Sequence, residues 1–131
     1  MATRERPLSP HLQVYRWQIQ MATSILHRAT GVLLAFGALL IAASLLALML
    51  GPQAWEHVTG VAGAWYGRAF LFVWSWAFGY HICNGIRHIV QDFAIGHSIS
   101  AFVRSAWMSV IGSLIITSLV WAWVLTQGGA A

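Results

Sequence analysis

Three polar residues and one glycine recur at helical intervals along one apolar part of the sequence: His81, Gly85, His88 and Asp92. At about 100° per residue in an α-helix these positions form one stripe, with His88 about 20° and Gly85 about 40° from His81. If Asp92 marks the membrane edge, His81 lies roughly 16 Å deeper, near the middle of a bilayer. Polar groups at that depth are costly, so they indicate a function or a specific partner.

Three interpretations fit this stripe. Imidazole is a usual axial ligand of haem iron, and the missing side chain of Gly85 lets a flat macrocycle lie against the helix. His88, about 10 Å along the axis from His81, is then as far away as haem propionates extend. A proton relay through His81, His88 and Asp92 would use the same residues. A neutral His81 could also simply hydrogen-bond a neighbouring helix, and the spacing alone leaves all three open.

A six-coordinate haem needs a second axial ligand, and the sequence offers no second mid-membrane histidine. Of the other histidines, His11 is in the leading segment, His27 is at the boundary, and His57 and His97 are in connections. We therefore expect the second ligand to come from another chain. An internal pair of His27 and His88 is a weaker alternative, because it would leave His81 unexplained.

A second polar group precedes the first apolar run. Ser24, Arg28 and Gly31 follow i, i+4, i+7 spacing, and His27 lies at i+3, so a helix starting before Gly31 would carry them on one face. That face combines a hydroxyl, an imidazole and a guanidinium at the cytoplasmic boundary. The alternative is structural: Ser24 caps the helix, Arg28 extends to lipid phosphates, and His27 lies incidentally among the headgroups.

The elements that carry these groups follow from composition. The chain has 131 residues, of which 59% are hydrophobic and 8% charged, whereas about a quarter of a soluble domain is charged. Three uncharged stretches approach the roughly 20 residues that a membrane-spanning helix needs: 31–50, 69–86 and 105–125. Open strands would leave backbone groups unpaired in lipid.

We therefore predict an all-α integral membrane protein with three transmembrane helices in an up-down-up bundle and a short cytoplasmic N-terminal segment. The spans are expected at about 24–50, 66–92 and 104–126, within a single domain covering 1–131. The connection at 51–67 begins with Gly51-Pro52 and is expected to be turn-rich.

Charge predicts the orientation of this bundle. All seven basic residues are arginines, the net charge is +4, and six of the seven lie in the leading part of the chain or at the ends of the 93–104 connection. By the positive-inside rule the N-terminus faces the cytoplasm and the C-terminus the periplasm of a bacterial inner membrane. The arginines lie singly at the edges of apolar runs, which argues against binding of nucleic acid.

Two motifs make the sequence similar to a known family, the larger cytochrome b membrane-anchor subunits of succinate dehydrogenase, respiratory complex II. The first is RPLSPHL at 6–12, continuing through Tyr15 to SILHRATG at 24–31. The second is HICNGIRH at 81–88, ending in Asp92. Their order, spacing and three-span layout agree over the whole length. Gln91 departs from the family, where a large apolar or aromatic residue is usual, which affects local packing.

The resemblance implies roles for individual residues. It makes His81 one axial ligand of a haem b shared with a smaller anchor subunit, and it places Ser24 and Arg28 in a ubiquinone pocket. It implies that His27 and His88 contact the haem propionates. Arg87, off the stripe, is assigned to topology or to the surface of a partner, and Cys83 to packing.

The resulting hypothesis is a subunit of an enzyme, not an enzyme alone. The chain would attach a flavoprotein and an iron–sulfur protein to the cytoplasmic face and form part of the site where ubiquinone is reduced. The sequence has no dinucleotide-binding fingerprint, so flavin and succinate would bind elsewhere. The alternatives are a haem-free structural anchor and a small proton-coupled transporter.

Overall fold

The computed structural model describes residues 16–128, and this part of the chain forms four α-helices. They are α1, Ile19–Leu50; α2, Pro52–Gly63; α3, Trp65–Asp92; and α4, Ile99–Gly128. The motif at 6–12 lies outside the described residues, as does the predicted N-terminal segment before Arg16.

The prediction of an all-α chain is confirmed, and the three predicted spans lie within α1, α3 and α4. Two of these helices begin earlier than expected, α1 at Ile19 and α4 at Ile99. Because Gln18 occupies the N-cap of α1, the alternative that Ser24 caps this helix is wrong. Ser24 lies inside the second turn, where its side chain is available for other contacts.

The predicted three-helix architecture is incomplete. The connection expected at 51–67 contains an additional helix, α2. Gly51 has a φ of +119°, in the left-handed region that favours glycine, and makes the turn that ends α1. Pro52 then occupies the first position of α2, where its fixed φ and missing N–H suit a helix start. The same Gly-Pro pair thus makes a turn and begins a helix.

Helix α3 is the centre of the fold and packs against all three other helices. The buried residues of α4 are all small or hydroxyl-bearing: Ala106, Ser109, Ser113 and Thr117. Small residues let two helix backbones approach closely, which is the usual basis of helix association in membranes. Large apolar side chains point outward instead; Leu39 is 69% exposed and Met49 84%.

Among the described residues, α1 and α4 are long and apolar enough to cross a membrane. Within their most apolar stretches 6% and 17% of the residues are buried by this chain, whereas a core helix of a soluble protein is mostly buried. The exposed apolar surfaces of α1 and α4 are therefore suited to contact with lipid or with partner helices. Helix α3 is less apolar because it carries Arg68 and the polar groups of the candidate site.

Candidate functional site

Three imidazoles meet where α1 crosses α3. His27 of α1 lies face to face with His81 of α3, with ring centroids 3.9 Å apart and planes inclined by 11°. The His27 ring also contacts His88, at 5.2 Å and 55°. The structure thus brings together the two histidines of the α3 stripe and the histidine of the α1 motif. The expectation that His27 lies at a boundary, apart from His81, is wrong, because α1 begins at Ile19 and carries the His27 ring to the level of His81.

His81 fits against one turn of α1. Its Nδ1 lies 3.2 Å from Oγ1 of Thr30, a residue that is only 3% exposed. A Cβ added at Gly31 would lie 3.1 Å from His81 Cε1, so the absence of a side chain there is what lets the ring approach α1. Nε2 of His81 has no hydrogen-bond partner within residues 16–128 and remains available to a ligand.

The stacking of His27 on His81 restricts how a metal could be held. Because the His27 and His81 rings lie face to face, they would not hold one haem iron from opposite sides. In the part of the chain that the structure describes, no three His, Cys, Asp or Glu side chains are arranged to hold a metal ion. A haem held at His81 would therefore take one imidazole from this pair of rings.

His88 belongs to a polar chain that runs away from the His27–His81 pair. Arg87 Nη1 donates to Asn84 Oδ1 at 3.5 Å, which turns the Asn84 amide so that Nδ2 faces His88 Nε2 at 3.1 Å. An amide nitrogen only donates, so Nε2 of His88 accepts this bond. Asn84 is fully buried and fixes the orientation of the His88 ring.

The assignment of Arg87 to the surface of a partner is wrong, because the side chain is buried between α3 and α4 and only 7% exposed. Its Nε donates to Ser105 Oγ at 3.0 Å, and its guanidinium lies 4.6 Å from the ring centroid of Phe102. The small Ser105 leaves room for the guanidinium at the helix interface. Arg87 is therefore an internal link from α4 to Asn84 and His88.

The residues of the α1 motif divide into two groups. His27, Thr30 and Gly31 face α3, whereas Arg28 is exposed. Arg28 Nη2 donates to Ser24 Oγ at 3.4 Å, across one helical turn. The expectation that Ser24, His27, Arg28 and Gly31 share one face is therefore wrong in part. Within residues 16–128, His27 and Gly31 face α3, whereas Arg28 is exposed and Ser24 half-buried.

The remaining members of the α3 stripe take little part in the cluster. Asp92 is exposed and makes no hydrogen bond or ion pair with any residue in 16–128. Gly85 faces His27, and an added Cβ would lie 3.9 Å from His27 Cε1, an ordinary contact. Cys83 is partly buried and is not bonded to another cysteine.

Sequence reasoning missed the residues that hold the cluster in place. Tyr80, fully buried, donates from its hydroxyl to the backbone carbonyl of Thr23 at 2.9 Å and so ties α3 to α1. Thr30 forms a hydrogen bond with His81, and Asn84 forms one with His88. The available signal was periodicity, since Thr23, Thr30 and Gly37 recur every seven residues and are the buried residues of α1.

Comparison with known proteins is decisive for the family. The succinate dehydrogenase/fumarate reductase transmembrane subunit family matches residues 2–120. The chain belongs to this family. It is 40% identical over 118 residues to the succinate dehydrogenase cytochrome b556 subunit of Rickettsia felis, covering 89% of this chain and 91% of the relative.

Other members of the succinate dehydrogenase cytochrome b family are similarly close. The cytochrome b556 subunit of Paracoccus denitrificans is 38% identical over 114 residues, covering 87% of this chain and 88% of the relative. The mitochondrial cytochrome b560 subunit of Bos taurus is 37% identical over 122 residues, covering 89% and 68%. The chain is therefore a membrane subunit of succinate dehydrogenase, complex II.

Proposed function

We propose that this subunit binds haem b through Nε2 of His81, with the second axial ligand supplied by a smaller membrane-anchor subunit. The relatives' names, cytochrome b556 and b560, denote haem b proteins. The observation that carries the proposal is the placement of His81: its Nδ1 is engaged by Thr30, and its Nε2 is without a partner in residues 16–128. The stacked His27 is unable to be the opposite ligand, which supports a shared haem.

His27 and His88 are proposed to contact the haem propionates. Nδ1 of His27 is buried without a hydrogen-bond partner in the described chain, and the His27 ring contacts the imidazoles of His81 and His88. An imidazole N–H donates readily to a carboxylate. Bound haem would supply one-electron redox chemistry. His27 and His88 would orient it through its propionate groups.

Ser24 and Arg28 are proposed to bind ubiquinone. Because Arg28 donates to Ser24 Oγ, the hydroxyl proton of Ser24 remains free for a quinone carbonyl. The fixed charge of Arg28 stabilises the negative charge that develops on the ring as it is reduced. Both side chains lie on α1 within one turn of the histidine cluster, so the quinone and haem sites would be neighbours.

We further propose that α3, the second of the three expected spans, also crosses the membrane and that its end near His88 and Asp92 faces the cytoplasm. There the subunit would attach the flavoprotein and iron–sulfur subunits to a bacterial inner membrane, with the C-terminus in the periplasm. The arginine distribution supports this orientation. The exposed apolar faces of α1 and α4 support contact with lipid and with the second anchor subunit.

The haem assignment is tested by purifying the complex with His81→Ala and recording its reduced-minus-oxidised spectrum. Loss or change of the haem b bands supports ligation by His81. The matched control is His57→Ala, which removes an exposed imidazole from α2 and should leave the bands unchanged. An unchanged spectrum in the His81 variant would reject the ligand role, and absence of haem from the wild-type complex would favour a purely structural anchor.

The quinone assignment is tested by Arg28→Ala. We expect ubiquinone reduction to fall at least about tenfold, because a charge that stabilises the reduced ring is lost. Succinate oxidation by a soluble artificial acceptor should remain, because that route bypasses the membrane site. Arg104→Ala, on an exposed arginine of α4, is the control. Equal loss of both activities in the Arg28 variant would contradict the assignment.

A further inference from the structure

Thr30 makes two hydrogen bonds with its single hydroxyl, and together they determine where the proton of His81 lies. Oγ1 of Thr30 is 2.9 Å from the backbone carbonyl oxygen of His27 and 3.2 Å from Nδ1 of His81. The side chain is 3% exposed, so water does not compete for either bond. A hydroxyl has one proton to donate and lone pairs to accept.

The carbonyl of His27 only accepts, so the hydroxyl proton of Thr30 is used in that bond. Toward His81 the same oxygen must then act as the acceptor, and Nδ1 of His81 must carry the hydrogen. A neutral imidazole has one N–H, so Nε2 keeps its lone pair. This is the tautomer in which Nε2 binds a metal.

We propose that Thr30 is a positioning residue that holds His81 as the Nδ1–H tautomer, with Nε2 directed to the haem iron. The proposal rests on the proposed haem ligation by His81, and it adds that Thr30 sets the tautomer and the orientation of this ligand. Gly31 supports the same arrangement, because a Cβ there would press on Cε1 at 3.1 Å and move the ring away from Thr30. His88 provides the contrast, since its Nε2 already accepts from Asn84.

The bond has an electronic consequence besides orientation. A metal-bound histidine that donates its other N–H to an oxygen becomes a more basic ligand, and loss of such a partner commonly weakens metal binding about 10- to 100-fold. A more basic axial ligand stabilises the ferric state. Removing the Thr30 hydroxyl should therefore raise the midpoint potential of the haem and loosen its binding.

The test compares Thr30→Val with Thr30→Ser in the purified complex. Val keeps the shape but has no acceptor, whereas Ser keeps the hydroxyl. We expect the Val variant to show a raised haem midpoint potential, a changed low-spin ferric electron paramagnetic resonance signal and haem loss in detergent at least about tenfold faster. The Ser variant should restore all three toward wild type.

Thr23→Val is the matched control. Thr23 is 1% exposed on the same helix, and its hydroxyl donates to the carbonyl of Gln20 within that helix. Its replacement carries the same general packing cost without touching His81, so the potential and the resonance signal should not move. If the Thr30→Val complex fails to assemble, Thr30→Cys against Thr30→Ser makes the same comparison, since the thiol is a much weaker acceptor.

The outcomes separate the two proposals. If His81→Ala abolishes the haem spectrum while Thr30→Val matches wild type in potential and resonance signal, the positioning role is overturned and ligation by His81 stands. If His81→Ala leaves the spectrum unchanged, ligation itself is wrong and the role of Thr30 fails with it. Equal shifts in Thr30→Val and Thr23→Val would show a packing effect and also overturn the proposal.

Discussion

His27 and His81 stack face to face across the α1–α3 interface, with centroids 3.9 Å apart. The contact links the two sequence motifs, which are separated by about fifty residues, through one pair of rings. In this arrangement His27 and His81 would not hold one haem iron from opposite sides, so a haem on His81 would need its other axial ligand from elsewhere.

His27→Ala should therefore change the haem without removing it. The loss of the stacked ring and of a proposed propionate contact should shift the absorption maximum but leave haem bound, because the proposed axial ligand His81 remains. Haem content per flavin in the purified complex measures this. Loss of haem as complete as in His81→Ala would contradict the separation of roles.

Gly31→Ala should disturb His81 without removing any polar group. The new Cβ would lie 3.1 Å from His81 Cε1, closer than an unstrained contact, so the ring must move away from α1. We expect faster haem loss in detergent and a changed haem spectrum. Gly112→Ala on α4 is the control, because nothing lies within 4 Å of the added carbon. Identical behaviour of the two variants would show that His81 is not confined by Gly31.

The stripe on α3 shows which features of the site could be predicted from the sequence and which could not. Spacing along one helix correctly grouped His81 and His88, because residues three, four and seven apart share a face. The spacing does not indicate which helix packs against this face. The hydrogen bonds of Thr30 with His81 and of Tyr80 with the Thr23 carbonyl therefore could not be predicted from it. Contacts between helices depend on how close the backbones come, and one sequence does not record that distance.

For Arg87 the missing information on helix packing led to a wrong prediction, because the side chain is buried. A charged residue off the functional stripe is ordinarily exposed, so the sequence favours a role for Arg87 in topology or at the surface of a partner. Its burial depends on Ser105 and Phe102 of α4, which provide a hydrogen bond and an aromatic face. The helix α2 was missed for a different reason: the segment is short, weakly apolar, and starts with a pair that also signals a turn.

Arg87→Ala should destabilise the α3–α4 interface. The change removes the bonds to Ser105 and Asn84 and leaves a cavity, so we expect a loss of roughly 2–4 kcal/mol in the stability of the subunit. Thermal unfolding of the complex in detergent, followed by haem absorbance, measures it. Arg104→Ala, which removes an exposed arginine, should unfold at the wild-type temperature. Equal unfolding temperatures for the two variants would show that Arg87 has no structural role.

Tyr80→Phe isolates one hydrogen bond between α1 and α3. The phenol donates to the Thr23 carbonyl in a fully buried setting, so its loss should cost about 1 kcal/mol and lower the unfolding temperature slightly. Tyr66→Phe is the matched control, since Tyr66 is 52% exposed. A larger effect at Tyr66 than at Tyr80 would be inconsistent with the described interface.

The most direct measurement of the central claim is chemical rescue of His81→Gly. The glycine variant leaves a hole of the size of an imidazole in front of the proposed iron position, and free imidazole added to the purified complex can fill it. We predict loss of the low-spin haem b spectrum in the variant and its recovery with imidazole. A wild-type haem spectrum in the variant before any imidazole is added would contradict ligation by His81.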